Sequence, residues 1–125
     1  MQEEEGKKDM AIRAIEIYAS GIYAAITALS ASAQNTANVN TPHYKRIYPH
    51  FTNLPEGGVS TAVHRIDTPG SPVYDFYSDT IIESSNTDLI TESVLQITAL
   101  AALKANAAGI RADDEVSRTI INIRA

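Results

Sequence analysis

All five prolines fall between positions 42 and 72. Proline lacks a backbone donor and its ring clashes with the preceding helical turn, so no long helix can cross that stretch. The chain on either side is free of proline and carries apolar residues at helical spacing. The fold must therefore be assembled from two long flanking helices and a middle segment that turns repeatedly.

The expected N-terminal helix covers residues 10–40. Ile15, Ala19, Ile22, Ile26, Leu29 and Ala33 recur at alternating steps of four and three, which places them on one stripe. This stripe is expected to pair with the C-terminal helix. Beside it runs a second stripe of mostly small residues: Ile17, Gly21, Ala24, Ala28 and Ala31. Small side chains permit close helix approach, so this face suits tight helix–helix contact, and whatever of it is left over is available to neighbours. Pro42 disfavours helix in the residue before it and ends the segment. Residues 1–9 are polar without periodicity and read as a mobile tail that does not pack.

Residues 41–84 read as loop and β-hairpin. Val59 to Ile66 is rich in β-branched residues, Thr68 to Pro72 is a turn, and Val73 to Tyr77 reads as the return strand. Residues 85–125 form the second helix. Ser85-Asn86-Thr87-Asp88 fits a capping box, and Ile90, Val94, Ile97, Ala101 and Ile110 lie on an apolar stripe. The expected fold is a single domain, mainly α (α+β). It consists of two long antiparallel terminal helices in a coiled-coil-like hairpin with a small β-hairpin insert.

Composition narrows the function classes. The net charge is −5, so duplex nucleic acid would be repelled. There is no Cys, which removes disulfides, thiolate metal sites and a Cys nucleophile. No uninterrupted run approaches eighteen apolar residues, and the first ten residues have neither a basic nor an apolar region. Neither a membrane span nor a cleaved signal peptide is expected.

Catalytic signals are sparse. His43, His50 and His64 sit in the middle third, but their spacing to one another and to Asp67, Asp75 or Asp79 matches no ligand motif. A small hydrolase or metal enzyme using these histidines is the weakest reading. No catalytic residue, metal site or cofactor is assigned. Gly57-Gly58 precedes a strand rather than a helix, so it reads as a turn and not a phosphate loop.

The most specific feature is an ordered polar string: Ala33, Asn35, Ala37, Asn38, Thr41, Tyr44 and Lys45, preceded by Ser20-Gly21. A polar helix end accounts for one or two asparagines, but not for the whole string. The string resembles the N-terminal signature of the bacterial flagellar rod and hook axial proteins, Ala-x-Asn-x-Ala-Asn-x-x-Thr-x-Gly-Tyr-Lys. His43 stands where that pattern has Gly. Ser85-Asn86-Thr87-Asp88-Leu89 is similar to the family's second signature, and Glu92, Ala105-Asn106 and Ala112 to Glu115 also fall in place. Leu100 to Leu103 replaces that signature's Gln-Arg-Ala-Tyr. Pro55-Glu56-Gly57-Gly58 looks like a stretch of one short subfamily.

The resemblance covers residues 15–46 and 85–123, and the short spacer matches the small proximal-rod proteins. It implies a non-catalytic structural subunit of the basal-body rod. Such a subunit is exported through the flagellar export apparatus without signal cleavage, and it assembles with itself and other rod subunits; the resemblance makes the small stripe from Ile17 to Ala31 the expected face for subunit packing. The competing expectation is a soluble helical-hairpin interaction module, an adaptor or chaperone, unrelated to flagella.

Overall fold

A computed structural model describes residues 1–124. The elements in order are α1 (Gln2–Ala37), β1 (Ile47–Asn53), β2 (Val59–Arg65), β3 (Pro72–Asp75), β4 (Thr80–Glu83) and α2 (Leu89–Arg124). Each helix has 36 residues, about 54 Å at 1.5 Å per residue. The two helices pack antiparallel, with two small hairpins between them in sequence. The expected mainly α hairpin with a β insert is the fold observed.

Helix α1 starts at Gln2, not at Met10, so the expected tail is helical, and all nine of its residues are exposed. Glu3, Glu4 and Glu5 occupy the first turn, where their charges oppose the positive end of the helix dipole. Glu, Lys and Met are good helix formers. Hydrophobic periodicity reports which face packs, and a helix that packs against nothing carries none. At the other end, α2 starts at Leu89 and its cap is Asp88 rather than Ser85. Asp88 Oδ1 accepts from Ile90 N at 3.2 Å, and Oδ2 accepts from Thr91 N at 3.3 Å and from Thr91 Oγ1 at 2.5 Å. Ser85 instead closes a local turn by accepting from Thr87 N. Ala125 lies outside the described residues.

The two stripes of α1 are buried differently from expectation. The small stripe is consumed inside the chain: Ala24, Ala28 and Ala31 are buried, together with Ala25, Ser32 and Asn35. A Cβ on Gly21 would stand 2.5 Å from Asn106 Oδ1, and one on Gly109 would collide with the Tyr18 ring. Small residues therefore let the helix backbones approach closely. The stripe assigned to pairing is mostly outside: Ile15, Ala19, Ile26, Ala33, Val94, Ile97 and Ala101 are exposed, while Ile22, Leu29 and Ile110 are half-buried. Ile17 is also exposed, although its side chain reaches the Gly57 turn. The antiparallel register runs from Ser32 beside Glu92, through Gly21 against Asn106, to Tyr18 against Gly109.

The strand pairing also differs from expectation. Val59 to Arg65 pairs with β1, not with Val73 to Tyr77. Ile47 faces Arg65 and Asn53 faces Val59 across an antiparallel ladder. Pro49 obscured β1 in the sequence. It is tolerated because each sheet has only two strands, so every strand has an open edge. The residues Leu54 to Gly58 make the turn, with Gly57 and Gly58 at φ 95° and 89°, values that favour glycine. Val73 and Tyr74 instead pair with Ile82 and Ile81 in the second hairpin. Asp79 closes that hairpin at φ 53°. His43, at the position where the resembled signature has Gly, adopts the left-handed conformation at φ 58° just before β1.

The described core consists of alanines: Ala24, Ala25, Ala28, Ala31 and Ala99. Large apolar residues such as Ile90, Val94, Ile97, Val116 and Ile121 remain exposed. The chain therefore hides little apolar surface by itself.

Candidate functional site

One buried polar junction ties the helix pair to the β region. Asn35 lies fully buried near the end of α1, and Glu92 is 1% exposed in the first turn of α2. Asn35 Nδ2 donates to Glu92 Oε1 at 3.0 Å and to the Ile47 carbonyl at 2.7 Å. Its Oδ1 accepts from Tyr44 Oη at 3.1 Å and from Ile47 N at 2.8 Å. The Asn35 amide thus uses both its donors and both its acceptor lone pairs. Ser32 Oγ donates to the Glu92 carbonyl at 3.1 Å, and Gln96 Nε2 donates to Ser32 Oγ at 3.0 Å. Arg46 Nε stands 3.5 Å from Glu92 Oε1. Arg46 Nε and Glu92 Oε2 have no hydrogen-bond partner among the described residues. The pair is therefore held by charge more than by hydrogen-bond geometry.

A second layer lies beside it. Asn86 Oδ1 accepts from Arg46 N at 2.6 Å, while Nδ2 donates to the carbonyls of Ile66 and Thr68 at 2.7 and 2.9 Å. Lys45 forms an ion pair with Glu83, and Gly70 N donates to the same Glu83 oxygen at 2.7 Å. Burial and then the charge of Glu92 hold the Tyr44 phenol above its ordinary value. The hydrogen bond from Lys45, then that from Gly70 N, keeps Glu83 below the usual carboxylate range. Asp88 is lowered by the Thr91 hydroxyl, then by Ile90 N.

These shifts carry a sign. A carboxylate held lower in the folded chain than in the unfolded one stabilises the fold at neutral pH, and that contribution is lost as pH falls through its folded value. The thermal midpoint should therefore hold from neutral down to the ordinary carboxylate range near pH 4 and drop as the pH falls below it. Glu83→Gln should flatten that drop. An unchanged slope in differential scanning calorimetry would show that the Lys45–Glu83 pair is not coupled to folding.

Several sequence-assigned residues meet here: Asn35, Tyr44, Lys45 and Asn86. Glu92 completes the junction; its apolar helical context gave no hint that it would be fully buried. Other signature residues act locally. Ser20 Oγ accepts from Val59 N at 3.0 Å and pins the first hairpin to α1. Asn38 Nδ2 donates to the Gln34 carbonyl, and Thr41 Oγ1 donates to Asn38 Oδ1. Asn106 covers Gly21. Ala37 and Leu89 are exposed and join none of these networks.

Two shallow grooves flank the helix pair. One, of about 480 Å³, lies among Arg13, Glu16, Ile17, Ser20, Leu54 and Pro55. The other, of about 290 Å³, lies between Ile15 and Ile110 and is rimmed by Arg111, Asp113 and Asp114. Among the described residues, no three of His, Asp or Glu are grouped to hold a metal ion. By length and composition alone, each helix contains a stretch apolar enough to cross a membrane. The same helix pair carries Asn35, Glu92 and Gln96 hydrogen-bonded in its seam. The chain matches no protein-family model and no curated protein.

Proposed function

We propose that this chain is a non-catalytic structural subunit of the bacterial flagellar basal-body rod, exported without signal cleavage and assembled through its terminal helices. The observation that carries this reading is the meeting of the two signature segments. Asn35, Tyr44 and Lys45 come from the first, Asn86 and Glu92 from the second, and all five belong to one continuous network, which Lys45 joins where its Nζ and Asn86 Nδ2 both donate to the Thr68 carbonyl. Two resemblances far apart in sequence thus behave as one structural unit. The alanine core and the exposed isoleucines of both helices support it further, because a subunit of a polymer reserves its large apolar side chains for neighbours. Its partners in this reading are copies of itself, other rod subunits and the export apparatus, with no nucleic acid and no membrane span.

The test is mass spectrometry of purified basal bodies from the source bacterium, beside the motility of a strain lacking the gene. The chain should be present in the basal body, and the deletion should lose filaments and swimming. Absence from the basal body with swimming intact would overturn the reading and put the helical-hairpin adaptor first.

A further inference from the structure

The outer face of the first hairpin holds a pair of histidines that the junction does not use. Along β1 the side chains alternate. Ile47 and Pro49 turn inward, while Tyr48 and His50 are exposed. In the ladder His50 is opposite Ala62 and His64 is opposite Tyr48, so the two histidines are diagonal neighbours on one face of adjacent strands. Their ring centroids are 5.8 Å apart with the planes at 79°.

That separation has a chemical meaning. A divalent metal bound to imidazole nitrogen sits about 2.0–2.1 Å from it. Two rings on one tetrahedral metal then have centroids roughly 5 Å apart by this bond length. The observed spacing is within a small side-chain adjustment of this value, on a ladder whose register is fixed at both ends. Imidazole suits Zn²⁺, Cu²⁺ and Ni²⁺ rather than Mg²⁺ or Ca²⁺. Among the described residues no third ligating side chain joins the pair, so the remaining coordination positions would be filled by water.

We propose that His50 and His64 form a two-histidine site for a borderline divalent transition cation, with Zn²⁺ as the reference ion. Occupation would clamp β1 to β2 at mid-ladder. It would also present a metal with open positions on the outer surface of the hairpin. The site is independent of the rod reading and stands or falls separately from it.

The test is calorimetric titration of Zn²⁺ into the full chain at neutral pH, with His50→Gln, His64→Gln and His43→Asn in parallel. His43 lies in the turn before β1, and Asn keeps its left-handed conformation accessible. The expected result is one saturable Zn²⁺ per chain, with the Kd raised at least about tenfold in each of the first two variants. His43→Asn should bind as the parent does. Circular dichroism checks that every variant keeps the parent fold, as expected for exposed positions. A Zn²⁺ shift of both histidine ring resonances, and of no other, would identify the ligands directly. Three results would overturn the proposal: no saturable binding by the parent chain, binding retained in either the His50 or the His64 variant, or equal loss in His43→Asn. The T-shaped contact would then be ring packing alone.

Discussion

Asn35→Ala should destabilise the chain by about 2–4 kcal/mol, because one or two buried polar groups lose their partners at about 1–3 kcal/mol each. The Asn35 amide joins Tyr44, both backbone groups of Ile47, and Glu92. Alanine removes all four bonds. Tyr44 and Ile47 are half-buried and recover part of the loss from water, whereas the Glu92 carboxylate does not. Glu92 would then keep only Arg46, at 3.5 Å. Asn35→Asp is the sharper comparison. It keeps an acceptor for Ile47 N but puts a second carboxylate against Glu92, so stability should be lowest at neutral pH and partly recover on acidification. Urea unfolding of both variants across pH checks this. A change below about 0.5 kcal/mol for Asn35→Ala, the range of ordinary surface substitutions, would mean that the junction does not hold the β region to the helices.

The outline of the fold was legible because proline placement and helical period report backbone conformation directly. What was not legible followed from the same signals. Period shows that a helix has two distinct faces but not which face meets which neighbour. Side-chain size does carry that information, and the Gly21, Ala24, Ala28, Ala31 stripe marked close approach correctly; its partner turned out to be the chain's own α2. The isoleucine stripe was larger and more hydrophobic, so burial alone favoured it, but its bulk would hold the helix axes apart. Strand β1 was hidden by Pro49 and by the His and Tyr around it. Pairing of β2 with the strand just before it is fixed by turn geometry at Gly57 and Gly58, and period-two patterning does not encode it.

The junction was half legible. Asn35, Tyr44, Lys45 and Asn86 stood out through their order in the chain. Nothing in the sequence placed Glu92 inside, since a Glu in a first helical turn is ordinarily a solvated charge favouring the dipole. Its burial depends on Ser32 and Asn35 arriving from α1, a contact spanning 57 residues for the Asn35 bond. The expected capping box shifted for a related reason. Asp88 caps the first turn, leaving Ser85 to close a local turn with Thr87 and Asn86 to tie the loop to Arg46 and Ile66.

The second large effect concerns the helix seam, and it separates folding from assembly. Ala28→Leu places extra methylenes where Ala28 is 2% exposed, and overpacking of this kind costs about 1–3 kcal/mol. The loss should appear in the isolated chain as a lower thermal midpoint and reduced helix content. Were the small stripe free for neighbouring subunits, the same variant would leave the isolated chain unchanged and block only polymer growth. The complementary variant is Ile97→Ala on the exposed stripe of α2. Its large apolar side chain touches solvent, so the folded chain should change by less than about 0.5 kcal/mol. If the exposed stripe is where neighbours dock, that variant should nonetheless impair assembly, read as loss of pelletable polymer. Gly109→Ala grades the seam more finely, because its new methyl meets the Tyr18 ring. Gly21→Ala meets an Asn106 amide 2.5 Å away, at the end of a side chain that can turn aside. Gly109→Ala should therefore lower the midpoint more than Gly21→Ala. The reverse order would mean that the helices can separate at the Tyr18 end without disturbing the seam between Ala24 and Ala31.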